Sequence, residues 1–573
     1  MLLQLWKYLQ RTLDATSILY GAAILISLLS IAAVLIIRTG NISITRRQLK
    51  NLHKLGLSAS NMADQYDPRY AAPEGIATNE RIRIKSLYIH PVKSCAPVEL
   101  DRALLTKTGF LYDRCCAFAV KDKTKDGAGT EWHFISQRTK PSMCLIKTEL
   151  WLPRQESNLQ DPLVQARGCI VLTFPNPDTP SWITQIEAFF HTRGRSTTPQ
   201  TSFIVPLQPT PAQMVMDLKT FRIHYRQASG LDMGNVPSVA AALPKLKKLL
   251  GIREQHGLTL MRCTADTLTR TDKNLAPLEY IGSPAVHGYT DQQPIHINSL
   301  SSVHEVSTLL PPENQPLNAL RFRANIWVTG APAYQEETWK RYCILPKHHS
   351  TQPRANVAPR LSVVCRTSRC TMPNVDPSKG TFDADNPPAN KKKGMPQPSA
   401  TLVEHRTVEN GNKAALGYIG MHCVPEALSF KEAETQGKGL YIEVGDEIEV
   451  FERGVHLSRK VGAFTDKASR NINVERTYLK GKELCTALLF GIQVHDQAPR
   501  TNRARHHTSG AKLSPVLVSL FEQSSATTDG TCDNAPTKGD DREAEKQRDG
   551  FLAVDSTRYC GEFGCHGGAE GLE

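Results

Sequence analysis

Hydrophobic and polar positions along the chain change pattern several times. Residues 18–37, ILYGAAILISLLSIAAVLII, contain no charged residue. As a helix, twenty residues rise about 30 Å, the thickness of one hydrocarbon core. The run is longer than a signal-peptide core, and no A-x-A cleavage pattern follows it. It predicts a transmembrane helix, preceded by a short segment, 1–17. A buried core helix is the other reading of such a run, and the polar stretch after it argues against that. Lys7 and Arg11 come before the run, and Arg38, Arg46, Arg47, Lys50 and Lys54 come after it. The excess of positive charge on the far side predicts a single-pass membrane protein with its body in the cytosol. Residues 38–80 are polar and turn-rich and read as a linker.

From residue 81 the pattern is that of short strands. In RIRIKSLYI, Ile82 and Ile84 alternate with Arg81, Arg83 and Lys85, the signature of a half-buried strand. CAFAV, CIVLTF and SFIVPL follow as strand candidates between clusters of Pro, Asn, Asp and Gly. PSVAAALPKLKKLL (237–250) predicts a helix that Pro244 kinks or divides. LTLMRCT reads as a strand, SLSSVHEVSTLL as a capped amphipathic helix, and RFRANIWVTG alternates again. LYIEVGDEIEVFE holds two alternating runs around Gly445-Asp446, a hairpin signal. Short helices among many short strands predict an α+β, β-rich fold with barrel-like sheets. Two inserts, at 346–360 and 381–408, are rich in Pro, Lys and Gln and read as surface loops. Their Lys391–Lys393 run reads as solvated charge. Residues 456–573 lack sustained periodicity and read as a disordered tail.

Composition narrows the class. With 573 residues, two to four domains fit, and 40% hydrophobic residues suffice for packed cores. The formal charge of +13 is compatible either with anionic partners or with ordinary solvated surface. The fourteen cysteines form no CxxC and no Cys/His cluster at zinc spacing, so they read as reduced thiols. HEVST (304–308) lacks the second His of a zinc protease. No Walker loop, no GxGxxG between strand and helix, and no GxSxG elbow is present.

One stretch, SVVCRTSRCTMPNVDP (362–377), concentrates chemistry. LSVVC is strand-like, and Pro373 and Asp376-Pro377 enforce a turn. Cys370 therefore lies on a loop leaving a strand, beside Arg369 and near Arg366. Positive neighbours favour a thiolate, which is a nucleophile or a soft metal ligand. On these residues alone, an inert buried cysteine beside a structural arginine is the favoured reading. HPVKSC adds Lys93 and Ser94, a donor pair suited to an anion, and LYDRCC adds Arg114. In RFRANIWV, Arg323 and Asn325 are two apart, which on a strand puts both on one face. Together with Arg369 these would form a cationic site for an anionic, phosphorylated, heteroaromatic ligand.

IKSLYIHPVKSC, LYDR, FISQRTKPSM, YTDQQPIHINSLSSVHEV, RFRANIWV, SRCTMPNVDP and YIEVGDEIEV, in this order, resemble the MOSC (molybdenum cofactor sulfurase C-terminal) family over roughly residues 81–455. The resemblance implies a MOSC N-terminal β-barrel domain at 81–250 and a MOSC β-barrel domain at 251–455. It implies a molybdenum cofactor, a Mo-pyranopterin dithiolene, with Cys370 as the metal's protein ligand. Lys93, Ser94 and Arg114 would hold its phosphate region. Gln292, Gln293, Arg323, Asn325, Ser368 and Arg369 would complete the pocket. Gln292 and Gln293 depart from the smaller hydroxyl residues often found there. At the level of the wider family, pyridoxal phosphate binding is also implied. The implied activity is that of a molybdenum-dependent oxidoreductase reducing N-hydroxylated substrates, amidoximes or hydroxylamines. Electrons would come from a b-type cytochrome and an NADH-dependent flavin reductase. No nucleic-acid partner is expected, and the outer mitochondrial membrane is the suggested address. The alternatives are a sulfur-carrier or cofactor-handling module that uses Cys370, and a non-catalytic membrane-tethered binder.

Overall fold

The computed structural model describes residues 15–456, except 124–128, 209–216, 225, 272, 348–353, 383–395 and 410–415. The expected disordered tail, the Lys391–Lys393 run and most of residues 1–17 lie outside the described residues.

Twelve strands form the two sheets that matter for the site: β1 (Arg83–Ile89), β2 (Cys116–Lys123), β3 (Thr130–Phe134), β4 (Leu218–Ile223), β5 (Arg226–Asp232), β6 (Gly257–Arg262), β7 (Ile295–Ser299), β8 (Ile326–Thr329), β9 (Trp339–Leu345), β10 (Arg360–Arg369), β11 (Gly417–Pro425) and β12 (Glu447–Arg453). The first sheet is a closed barrel in the order β4-β5-β6-β2-β3. The run CAFAV has no polar face because both faces of β2 are buried. Ala117 and Ala119 pack with Phe221, Ile223, Ala228 and Met261. Cys116, Phe118 and Val120 join Leu258 and Leu260 in the main core. A strand covered on both sides reads as a continuous apolar run rather than an alternating one.

The second sheet runs β8-β7-β11-β10-β9-β12-β1 and ends on the short strand Val98–Leu100, which pairs with β1; a further pairing of β1 with β8 closes the seven labelled strands into a ring. β1 meets β8 through Leu87 and Ile326, and it meets β12 through Arg83 and Glu447. Ile84, Leu87, Ile297, Ile326, Trp339, Ile344, Leu361 and Met421 are all buried in the main core. The architecture is thus β-rich with closed barrels, as the alternation predicts. A four-stranded sheet of Leu52–Leu55, Lys147–Pro153, Cys169–Pro175 and Gln200–Pro206 lies alongside in the same chain.

The membrane expectation is corrected. A helix, α1, does span Ala15–Thr39, with Ile18, Leu19, Ile24 and Leu28 exposed. Among the described residues no helix is long and apolar enough to cross a membrane. This overturns the reading of 18–37 as a transmembrane segment, and with it the single-pass protein with a cytosolic body and the outer mitochondrial membrane as its address.

Four local readings also change. Residues 38–80 are not a loose linker: Asn41–Gln48 is helical, Leu52–Leu55 pairs with Lys147–Pro153, and Leu49, Leu52 and Met62 are buried. Pro244 does not divide its segment, because one helix, α2, runs through it from Pro237 to Leu249. Val239, Ala242 and Leu246 on that helix are buried, and tertiary packing of this face outweighs the lost backbone donor. The runs around Gly445-Asp446 do not form a hairpin. Tyr441–Glu443 pairs with Arg102–Thr106, while β12 pairs with β9. The Asp446 carboxylate accepts from the Glu443 and Lys347 amides and from Arg354, so the turn redirects the chain between two sheets. The inserts are not wholly loops either: Ser399–His405 is helical, and its Leu402 is buried.

Candidate functional site

Five short segments converge on a cavity of about 290 Å³. The chain leaves β1 into HPVKS, where the Lys93 amide donates to the Cys116 carbonyl at 2.8 Å. Ser94 takes a left-handed φ of 67°. The LYDR turn places Arg114 at φ 45°, and its amide donates to His90 O at 2.9 Å. Residues 289–296 enter β7 and bring Asp291, Gln292, Gln293 and His296. The turn before β8 brings Arg323 and Asn325. The end of β10 brings Thr367, Ser368 and Arg369, and Cys370 is the first residue beyond that strand.

All ten residues singled out from the sequence line this one cavity: Lys93, Ser94, Arg114, Gln292, Gln293, Arg323, Asn325, Ser368, Arg369 and Cys370. Two of the reasons given for them change. Arg323 is not on a strand; it caps a turn at φ 52°, and β8 starts only at Ile326. Arg366 does not stand beside Cys370 at the cavity. Its Nε donates to Glu337 Oε2 at 2.7 Å, and Glu337 also takes Arg406. The strand persists past Arg366 because β10 shifts register against β11 at Val363/Cys365 and at Arg366/Ser368. Such irregularities re-aim side chains at a strand end.

The polar contacts make a rigid frame. Asn325 Oδ1 accepts from Arg114 Nη1 at 3.1 Å and from the His296 amide at 3.2 Å, while its Nδ2 donates to Tyr88 O. Arg114 Nη2 donates to Arg323 O, and Arg323 Nη1 donates to Cys95 O at 2.9 Å. Arg369 donates to Ile419 O and Phe322 O, and its Nη2 bonds His296 Nε2 at 2.7 Å. Arginine has no acceptor, so His296 Nε2 is the acceptor and its ring is neutral. Gly420 makes room for this pair. It sits at φ +78°, and a Cβ there would come within 2.5 Å of His296 Nε2.

The cavity is cationic. Lys93, Arg114, Arg138, Arg323 and Arg369 line it, against Asp291 as the one acidic lining residue among those described. Arg114 is neutralised by buried Asp113, whose carboxyl is held at about 2; burial alone would raise it, and the Arg114 charge outweighs that. Arg323 and Arg369 bond only neutral acceptors among the described residues. Burial, with the Arg114 charge added, lowers Arg323 to about 10 and Arg369 to about 9. Burial also lowers Lys93, which bonds Tyr289 O and Asp291. His422 is lowered to about 3 by burial and by Arg369.

Those depressed imidazoles have a consequence for stability. A histidine held neutral in the fold binds fewer protons than in the unfolded chain, so stability is present above the unfolded value near 6.5 and falls as pH drops below it. For His422 the window runs from about 6.5 down to about 3. Denaturant unfolding at pH 7 and pH 5 is expected to show a loss of about 2 kcal/mol from this residue alone. In His422→Gln the pH slope should be shallower by that amount; an unchanged slope would show that the ring is not buried neutral.

Sequence reasoning missed Arg138, His224, Asp291, His296, Thr367 and His422, which also line the cavity. Arg138, Asp291 and His296 lay inside quoted segments without carrying a motif. His224 and His422 had no local signal. Ten described cysteines are free, and among the described residues no group of three His, Cys, Asp or Glu side chains is placed to hold a metal ion.

Comparison with known proteins defines the class. Residues 81–182 match the family model of the MOSC N-terminal beta barrel domain, and residues 284–449 match that of the MOSC domain. These matches show a MOSC N-terminal beta barrel domain and a MOSC domain in this chain. Its curated relatives include mitochondrial amidoxime reducing component 2 of Bos taurus, 23% identical over 314 residues, covering 53% of this chain and 69% of the relative. The proteins of the same name from Rattus norvegicus and Homo sapiens are 24% and 21% identical, each covering 53% of this chain and 70% of the relative.

Proposed function

We propose that this cavity binds a molybdenum cofactor, a pyranopterin dithiolene, and that the chain reduces N-hydroxylated substrates such as amidoximes and hydroxylamines. The observation that carries the reading is a buried guanidinium, Arg323, and a half-buried one, Arg369, which among the described residues bond only neutral partners and face one cavity with the exposed thiol of Cys370. A buried charge without a counter-ion is costly unless a ligand supplies one.

The donor set fits such a group. Gln293 uses both protons of its Nε2 on Lys273 O and Asn274 O, and its buried Oε1 is left without a partner. Thr290 Oγ1, Thr367 Oγ1 and His422 Nδ1 are likewise buried and unpartnered at the same cavity. These are sites for the hydrogen-bonding edge of a heterocycle. Lys93, Ser94, Arg114, Arg323 and Arg369 would hold the phosphate and pterin, with Gln292, Gln293, Asn325 and Ser368 beside them. Cys370 would be the protein's ligand to the metal. When bound, the group supplies the two-electron redox chemistry that accepts oxygen from an N–O bond. The protein holds charge and geometry: Asn325 and Arg114 lock the strand ends together, and Arg369 fixes the segment carrying Cys370. Electrons would reach the site from a b-type cytochrome served by an NADH-dependent flavin reductase. The names of the relatives support this substrate class.

Exposure of Cys370 favours a second reading, a sulfur-carrier or cofactor-handling module. Elemental analysis separates the two. The full chain, purified from a host that makes the cofactor, should carry near-stoichiometric molybdenum and pterin. A folded chain without either would sink the reductase reading and leave the sulfur-handling one.

A further inference from the structure

Reduction of an N–OH group consumes protons that none of the residues assigned above supplies. R–NH–OH, two electrons and two protons give R–NH2 and water. The N–O bond breaks, nitrogen is reduced, and the departing oxygen must be protonated. The electrons are those of the reduced b-type cytochrome named above, so this inference rests on the reduction reading.

Few cavity side chains can carry a proton in and out. His296 and His422 are buried, held neutral by that burial and by Arg369. Asp291 is half-exposed. Burial alone would raise its carboxyl, and the Lys93 charge and the His224 bond outweigh that and hold it well below the usual range. Lys93 is fixed between Tyr289 O and Asp291.

His224 differs from all of these. It sits at the tip of the β4–β5 connection, which reaches from the first barrel to the cavity. Its side chain is 30% exposed, so water can recharge it. The ring packs edge-on against Phe134, another cavity residue, at 4.7 Å. Nε2 lies 3.1 Å from Asp291 Oδ1, and Nδ1 lies 2.9 Å from Arg138 Nη2. Because Arg138 can only donate, Nδ1 is the acceptor in the resting state and Nε2 carries the hydrogen toward Asp291. The charged groups facing the ring are Arg138 from the turn after β3, and Asp291 with Lys93 behind it. Arg226 on its own hairpin donates to Thr290 O, and Arg222 pairs with Glu131.

We propose that His224 is the proton donor for N–O cleavage. Nδ1 takes a proton from solvent when Arg138 swings to an anionic ligand, Asp291 stabilises the imidazolium, the ring gives that proton to the departing hydroxyl, which leaves as water, and the second proton passes from solvent to nitrogen. A carboxylate behind a histidine is a common way to hold such a ring in orientation and charge.

The test uses the full chain. His224→Asn suits it because asparagine tolerates the left-handed φ of 54° found there. At pH 7 the variant should lose at least about a hundredfold in kcat for a benzamidoxime probe, the size of general acid catalysis. KM and molybdenum content should stay within about twofold. Histidine ring NMR on the wild type needs neither turnover nor a variant. It should show the His224 ring as the tautomer with hydrogen on Nε2 and the lone pair on Nδ1. A ring with its hydrogen on Nδ1 instead overturns the proposal. So does a wild type that turns over while His224→Asn matches it. A wild type with neither molybdenum nor turnover overturns the reduction reading, and this proposal with it.

Discussion

Cys370→Ala should lower turnover of an N-hydroxylated probe by more than about a hundredfold and leave the fold intact. Loss of an outer-shell partner of a metal ligand already costs about 10–100-fold, and loss of the ligand atom itself should cost at least as much. Cys370 is exposed and lies just past the end of β10, so its side chain contributes little packing. Substitutions at such positions usually fall within about 0.5 kcal/mol. Thermal unfolding of wild type and variant should therefore nearly coincide, while reduction with an artificial electron donor separates them. Pterin should remain bound in the variant, because the cationic cradle is unchanged. If turnover survives in Cys370→Ala, the thiol is not the metal's ligand, and the assignment built on it fails.

Arg369→Met should act in opposite directions on affinity and on stability. With no ligand bound, the half-buried Arg369 guanidinium bonds, among the described residues, Ile419 O, Phe322 O and neutral His296. Replacing such a charge with an apolar side chain of similar length is often neutral or stabilising. The ligand-free variant should therefore unfold within about 1 kcal/mol of wild type, or later. Retention of an anionic cofactor should fall by one to two orders of magnitude, since a hydrogen bond to a charged group contributes about 1.5–3 kcal/mol. Denaturant unfolding of the ligand-free chain, set beside phosphate and pterin content after purification, reads both effects. Strong destabilisation without loss of ligand would mean that Arg369 braces the fold rather than holding an anion.

Most of the strands were legible because each buries at least one face, which writes itself into the sequence as alternation or as a continuous apolar run. RIRIKSLYI, CAFAV and CIVLTF became strands close to where the pattern put them. What the pattern could not encode was pairing. Around Gly445-Asp446, two well-formed runs go to different sheets because Asp446 satisfies the amides of Glu443 and Lys347, residues far apart in sequence. The polar stretch 38–80 misled for a related reason. Its few apolar residues, Leu49, Leu52 and Met62, are enough to dock it, although its average composition is that of a linker. The uncharged run at 18–37 announced a helix correctly but did not establish a span.

The site was legible where chemistry and turn geometry coincide. Ser94, Arg114 and Arg323 all adopt left-handed backbone conformations, and all three lay in segments flagged for their charge or hydroxyl. Arg323 was found for a mistaken reason, as a strand residue, when it is the turn that aims it. His422 and His224 were invisible because a lone histidine on a strand or a hairpin carries no spacing to recognise. Only the closure of two sheets around the cavity brings them to it.

The pairing of β1 with both β8 and β12 bears on how the chain is made. Arg83 finds Glu447 only after some 360 intervening residues exist, by the numbering of that pair. Contacts of such long range form late and slowly. During synthesis β1 emerges early and can pair at once only with Val98–Leu100, over Leu87–Ile89, while its β8 edge and its Arg83 end wait unpaired, a state that invites strand pairing with other chains. Lys93 and Ser94 sit a few residues beyond β1, so their final placement waits for the pairings that close the ring. Any truncation that removes Glu447–Arg453 should thus yield insoluble material rather than a smaller working protein, and a cofactor could be loaded only into a finished chain.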